Sequence, residues 1–110
     1  MKIFKVFLLL FLSLLVFPSK VQAQVVINEF LPNSPQEWVE FYNSGTSTED
    51  LSNYYFDDDT NFGSDSGSSD KVALSGLLQS LATCYLDLNT FLNNNGDSPT
   101  LFLIDGAIKD

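Results

Sequence analysis

Histidine and arginine are absent from this 110-residue chain, and cysteine occurs once. Without histidine there is no Ser-His-Asp or Cys-His nucleophile pair and no His-ligated zinc. Without arginine there is no bidentate clamp for a transferring phosphoryl group. The lone Cys84 closes no intrachain disulfide. It sits in the run Cys84-Tyr85-Leu86-Asp87-Leu88 and reads as a core thiol, because free cysteine behaves mostly as a small hydrophobe. No Asn-x-Ser/Thr sequon occurs. Ser68 and Lys71 have Ser-x-x-Lys spacing, but that pair acts from a helix start with further motifs, and here it falls in a polar loop. Glu37 and Glu40 lie three apart on an extended run and point to opposite faces, so they do not make a glycosidase pair. The reading is a protein that is not an enzyme.

Positive charge is also scarce. All five basic residues are lysines, and Lys2, Lys5 and Lys20 bracket the N-terminal segment. Between them Val6–Phe17 is apolar except for Ser13, followed by Pro18-Ser19-Lys20 and the short side chains of Val21-Gln22-Ala23. This is the pattern of a secretory signal peptide over residues 1–23, with cleavage after Ala23. The 12-residue run falls short of the roughly 18 apolar residues of a spanning helix. A retained signal anchor is the competing reading. No cysteine follows the run to carry a lipid. The expected location is secreted or cell-surface, with the membrane met only through the leader during export.

Removing 23 of 110 residues leaves 87, one small domain over residues 24–110. A chain of this size buries only about 60–65% of its unfolded surface and depends on a well-filled core. The remainder keeps all 14 acidic residues against Lys71 and Lys109, a net charge of −12. Such a surface repels phosphate backbones and anionic lipids, which argues against nucleic acid as a partner. Solubility is the commoner use of so much acid.

Short extended runs separated by turn signals follow. Gln24–Phe30 and Glu37–Asn43 are the first two strands, joined by Leu31-Pro32-Asn33-Ser34-Pro35, whose prolines deny ladder donors. Alternation places Val39 and Phe41 on one face of the second strand and Trp38, Glu40 and Tyr42 on the other. Ser44–Thr48 turns the chain, and Leu51–Asp57 reads as a third strand. Asp57–Asp70 is low in complexity and reads as a long exposed loop. Val72–Leu74, Ala82–Leu88 and Pro99–Ile104 are further strands. Asn89–Asn94 reads as a helical turn or tight loop. Asn95-Gly96 and Asp105-Gly106 are hairpin signals, and Ala107–Asp110 begins a last strand. The whole is an all-β sandwich or barrel with no long helix outside the leader.

The runs VVINEF and EWVEFYN place Asn28, Glu29, Glu40 and Asn43 inside otherwise apolar strands, beside Trp38. Together they resemble the opening two strands of the lamin tail domain, an immunoglobulin-like β-sandwich. The family's next strand, "vdLsgw.l.D", is matched by Glu49–Asp57, with Asn53 and Tyr54 where Gly and Trp are usual. Its later pattern, "LnN.GD.v.L.d..G", is matched by Leu92–Leu101, including Asn94, Gly96 and Asp97, and then by Asp105-Gly106. The resemblance covers about four-fifths of residues 24–110. The family normally continues beyond this point into a further strand, so the chain is expected to be part of a longer gene and to lack its last strand.

That resemblance implies a structural role for Asn28, Glu29, Trp38, Glu40, Asn43, Asn94, Gly96, Asp97 and Gly106. It implies a non-catalytic interaction or adhesion module, with an unidentified protein or glycan partner at the cell surface. Family members outside the nucleus are often attached to exported nucleases, phosphatases or surface proteins, so one alternative is an accessory domain of a secreted hydrolase or nuclease; another, resting on the acidic loop alone, is a calcium-binding extracellular domain. The filament role of lamins does not carry over, because no heptad coiled coil is present. Trp38, Tyr42, Tyr54 and Tyr55 form either a contact patch or one side of the core. No cofactor is required. Asp57, Asp59 and Asn61 have EF-hand spacing, but Phe62 stands where glycine belongs and Ser68 where the closing glutamate belongs. A looser calcium site on Asp57, Asp59, Asn61 and Asp65, with Asp58 and Asp70, competes with a solvated acidic loop, which the broken motif favours.

Overall fold

The computed structural model describes residues 24–32, 35–63, 70–89, 91–92 and 96–110. The expected leader lies outside them. In chain order the strands are β1 (Val25–Leu31), β2 (Glu37–Asn43), β3 (Glu49–Asp50), β4 (Tyr54–Asp57), β5 (Val72–Ala73), β6 (Leu77–Leu78), β7 (Thr83–Asn89) and β8 (Thr100–Leu103). One sheet has the order β1-β2-β7 and the other β5-β4-β8, while β3 and β6 form a small ribbon. All named pairings are antiparallel. This is the expected all-β, immunoglobulin-like sandwich.

The core follows from strand alternation. Val39 and Phe41 of β2 are buried, as are Val25 of β1, Tyr54 and Phe56 of β4, and Leu101 of β8. Phe41 and Phe56 meet edge to face across the two sheets, 5.9 Å between centroids. Burying each such side chain contributes roughly 1.5–3 kcal/mol. In β7, Cys84, Leu86 and Leu88 pack against this core while Tyr85 and Asp87 face outward. Desolvation, with Glu40 nearby, pushes the Cys84 thiol up, so it is a protonated packing group.

Two expectations are revised, and one strand is added. Leu51–Asp57 is not one strand. Asp50 Oδ1 accepts from the Ser52 amide at 3.0 Å and its hydroxyl at 2.7 Å, which closes a 3-10 turn over Leu51–Asn53 before β4 begins. A short acidic side chain competes here with the ladder for backbone donors. Leu77–Leu78 forms a strand too short to leave a periodic signal. Leu31 belongs to β1 rather than to the connection.

The expected Asp105-Gly106 turn is present, and Ala107–Asp110 runs back along β8. Leu103 donates to Ala107 O at 2.8 Å, and Lys109 donates to Leu101 O at 2.7 Å. The Ile27 amide of β1 donates to Asp110 Oδ2 at 2.8 Å, tying this segment to the first sheet.

The Asp57–Asp70 segment is not simply solvated. Phe62 is half-buried on the outer face of β4 and β8. It packs against Tyr55 at 5.6 Å and Phe102 at 5.3 Å, with Lys71 Nζ 5.1 Å from its ring centre. Gly106 passes beneath it with φ +87°, and a Cβ there would lie 2.7 Å from Phe62 Cδ1. Gly106→Ala is expected to cost roughly 2–4 kcal/mol, from left-handed strain and overpacking together. Gly96, at φ +109° with nothing within 4 Å of its Cβ position, is expected to cost only about 1 kcal/mol on the same substitution. Urea unfolding of both variants checks this, and equal losses would remove Phe62 from the account.

Candidate functional site

Strand β2 supplies the polar residues around which the domain is arranged. The register of β1 against β2 shifts between Ile27 and Glu29, so Asn28 is the extra residue of a bulge. The bulge re-aims its side chain, and Asn28 Nδ2 donates to Glu40 Oε1 at 2.5 Å. Tyr85 lies directly opposite Glu40 in β7, and its hydroxyl donates to the same carboxylate. The Tyr85 bond first, then the Asn28 bond, hold the Glu40 carboxyl below the usual range. Glu40 in turn raises the Tyr85 phenol. Glu40 is 7% exposed, roofed by its neighbours on the outer face of the sheet.

The same face carries aromatic surface. Trp38 meets Tyr85 edge to face at 5.5 Å and 81°. Tyr85 is 65% exposed, whereas Trp38 and Tyr42 are half-buried. Beside them lies a cleft of about 320 Å³ lined by Leu31, Gln36, Glu37, Trp38, Asp87 and Asn89. Glu29 is exposed on the adjoining strand. The four aromatics read as either a contact patch or one side of the core are therefore divided between the two. Tyr54 is buried in the core, where its hydroxyl donates to Glu49 Oε2 at 3.1 Å, and Tyr55 belongs to the other sheet. Tyr85 was missed, although alternation from Cys84 places it outward.

Two further β2 residues hold loops. Glu37 is buried, and its Oε2 accepts from the Leu92 amide at 2.6 Å. Asn43 is fully buried. Its Nδ2 donates to Ser47 O at 2.8 Å and Leu78 O at 2.9 Å, and its Oδ1 accepts from the Gly45 amide at 2.9 Å.

In the other sheet, β4 ends and leads out through three consecutive aspartates. Asp57 is 1% exposed. Its Oδ1 accepts from the Asp58 amide at 2.8 Å, and its Oδ2 has no hydrogen-bond partner among the described residues. Desolvation foremost, with Asp58 and Asp59 adding to it, raises the Asp57 carboxyl to about 6. One side-chain oxygen from each of the three lies within 4.8 Å of the others. Asp59 Oδ1 accepts from the Asn61 amide at 2.6 Å, and Asn61 Oδ1 accepts from the Gly63 amide at 3.2 Å. The grouping is thus Asp57, Asp58 and Asp59, with Asn61 turned to its own loop. Asp65 lies outside the described residues.

A family model, the Lamin Tail Domain, matches residues 18–108. The chain belongs to the lamin tail domain family. No curated protein and no solved structure matches it. The lamin tail domain is an immunoglobulin-like, non-enzymatic family. Of the lamin tail residues expected to be structural, Asn28, Trp38, Glu40 and Asn43 come together on or beside β2. Gly96 and Gly106 occupy left-handed positions, and Asp97 is half-buried. Asn94 lies outside the described residues.

Asp57 gives the lamin tail domain a pH-dependent stability. Its carboxyl titrates near 3.8 when unfolded and at about 6 when folded. Its favourable contribution is full below the lower value and is lost as pH rises through the higher one. With chelator present, the wild type is expected to lose on the order of 1–2 kcal/mol between about pH 4 and 6.5 relative to Asp57→Asn. Urea unfolding of both proteins across that range tests it, and parallel curves would contradict it.

Proposed function

We propose that this lamin tail domain is a non-catalytic interaction module of an exported protein, binding a protein or glycan partner through the outer face of β1-β2-β7. The observation that carries the reading is the Trp38–Tyr85 pair beside the cleft. Tyrosine and tryptophan anchor interfaces because they offer a large apolar surface with a polar tip and little conformational freedom to lose. Glu40 braces Tyr85 from below, so the ring is held ready rather than ordered on binding. Exposed Glu29 and Asp87 make the rim acidic, which suits a cationic peptide or a neutral sugar and disfavours nucleic acid.

Trp38 is the single tryptophan, so its fluorescence reports on this face. Titration with a panel of neutral oligosaccharides and a lysine-rich peptide is expected to give a saturable change for one of them. Tyr85→Ala is expected to weaken that binding at least about tenfold, and Tyr55→Ala, on the other sheet, to leave it unchanged. Binding indifferent to Tyr85 would remove this face from the reading.

Export rests on the N-terminal segment, from Lys2 to Ala23. N-terminal sequencing of the protein recovered from outside an expressing cell is expected to begin at Gln24. A retained Met1 in the membrane fraction would make the segment an anchor.

A further inference from the structure

We propose that Asp57, Asp58 and Asp59, where β4 leaves its sheet, bind a divalent cation of the calcium type. This site is independent of the aromatic face, so either reading survives failure of the other.

Distance is the first argument. The three carboxylate oxygens lie within 4.8 Å of one another. A calcium ion sits 2.3–2.6 Å from each oxygen ligand, so two oxygens sharing one are at most about 5 Å apart. Burial is the second and stands apart from charge. Asp57 is 1% exposed, and its Oδ2 has no hydrogen-bond partner among the described residues. A buried carboxylate oxygen is ordinarily hydrogen-bonded, paired or metal-bound. The Asp57 carboxyl interacts with that of Asp58, with Asp59 close by, and each of these neighbours brings a carboxylate oxygen within 4.8 Å of it.

The cluster is also held in place. Asp58 O accepts from the Ser98 amide at 2.7 Å, which fastens the end of β4 to the approach to β8. Asp59 Oδ1 accepts from the Asn61 amide, which fixes the Asp59 side chain. The donors are all hard oxygens, which select calcium, magnesium or manganese over zinc or copper. Three carboxylates from consecutive residues meet the flexible coordination of calcium more readily than the strict octahedron of magnesium.

The test is isothermal titration of the purified protein with CaCl₂, paired with thermal unfolding in EDTA and in about 10 mM Ca²⁺, an excess over the affinity of extracellular calcium modules. The expected result is one ion per chain and a midpoint raised by several degrees, on the order of 5 °C. Mg²⁺ at the same concentration is expected to give a clearly smaller rise. Asp57→Asn and Asp59→Asn are each expected to abolish the calcium effect. Asp59→Asn keeps the acceptor for the Asn61 amide and lies at a half-exposed position, so it remains decisive if Asp57→Asn fails to fold. Absence of binding, a rise equalled by Mg²⁺ or by sodium chloride of the same ionic strength, or a rise that survives Asp59→Asn would overturn the proposal.

Discussion

The side chain of Asn43 is the interaction on which most of this domain hangs. It is fully buried at the end of the central strand, and all three of its hydrogen bonds go to backbone groups of other segments. Its own backbone is engaged as well, donating to Ala82 O at 3.0 Å and accepting from the Leu81 amide at 2.8 Å. One residue therefore joins β2 to the turn after it, to β6, and to the approach to β7. A net hydrogen bond contributes about 0.5–1.5 kcal/mol, but an orphaned buried group costs more, so such a node is far more costly to break than to keep. Leu81 is held with φ +59° and its side chain 68% exposed. Strained backbone of this kind persists only where its surroundings over-determine it, and the two Asn43 backbone bonds do so.

The other polar residues of β2 extend the same logic. Glu37 grips the Leu92 amide, and Glu40 joins the Asn28 bulge to Tyr85. A small sandwich has limited apolar area to bury. Here the central strand spends its inward positions on Val39 and Phe41 and uses polar positions as fasteners to loops and neighbouring strands. A short core is thereby combined with fixed register, since a slip of one residue would break these polar contacts and the packing together.

The two sheets use negative charge differently. Glu40 is stabilised as a carboxylate by two donors and supports an exposed aromatic ring. Asp57 is stripped of water, has one oxygen without a donor among the described residues, and stands beside two more acids. The first arrangement is electrostatically complete within the chain, whereas the second calls for a proton or, as proposed above, a cation. The contrast arises from local geometry: a bulge brings a donor to Glu40, while the bend after β4 brings like charges to Asp57.

The fold class, both opening strands, β7, β8 and the Asp105-Gly106 turn were legible in the sequence because alternation and turn chemistry are local properties. The family was legible because its polar signature lies inside strands, where few sequences place glutamate and asparagine. Strands of two residues were not legible, since no period can be read from them, and Asp50 interrupted Leu51–Asp57 through a side-chain bond that composition does not reveal. Which aromatics are surface and which are core was decided only by tertiary structure: Tyr54 went inside and Tyr85 outside because the two sheets had to face each other. The sequence by itself determined the architecture, the acidity and the absence of histidine and arginine chemistry. The placement of Phe62 on Gly106, the roof over Glu40 and the convergence of Asp57, Asp58 and Asp59 were decided by the packing of distant segments, whose contacts no local pattern encodes.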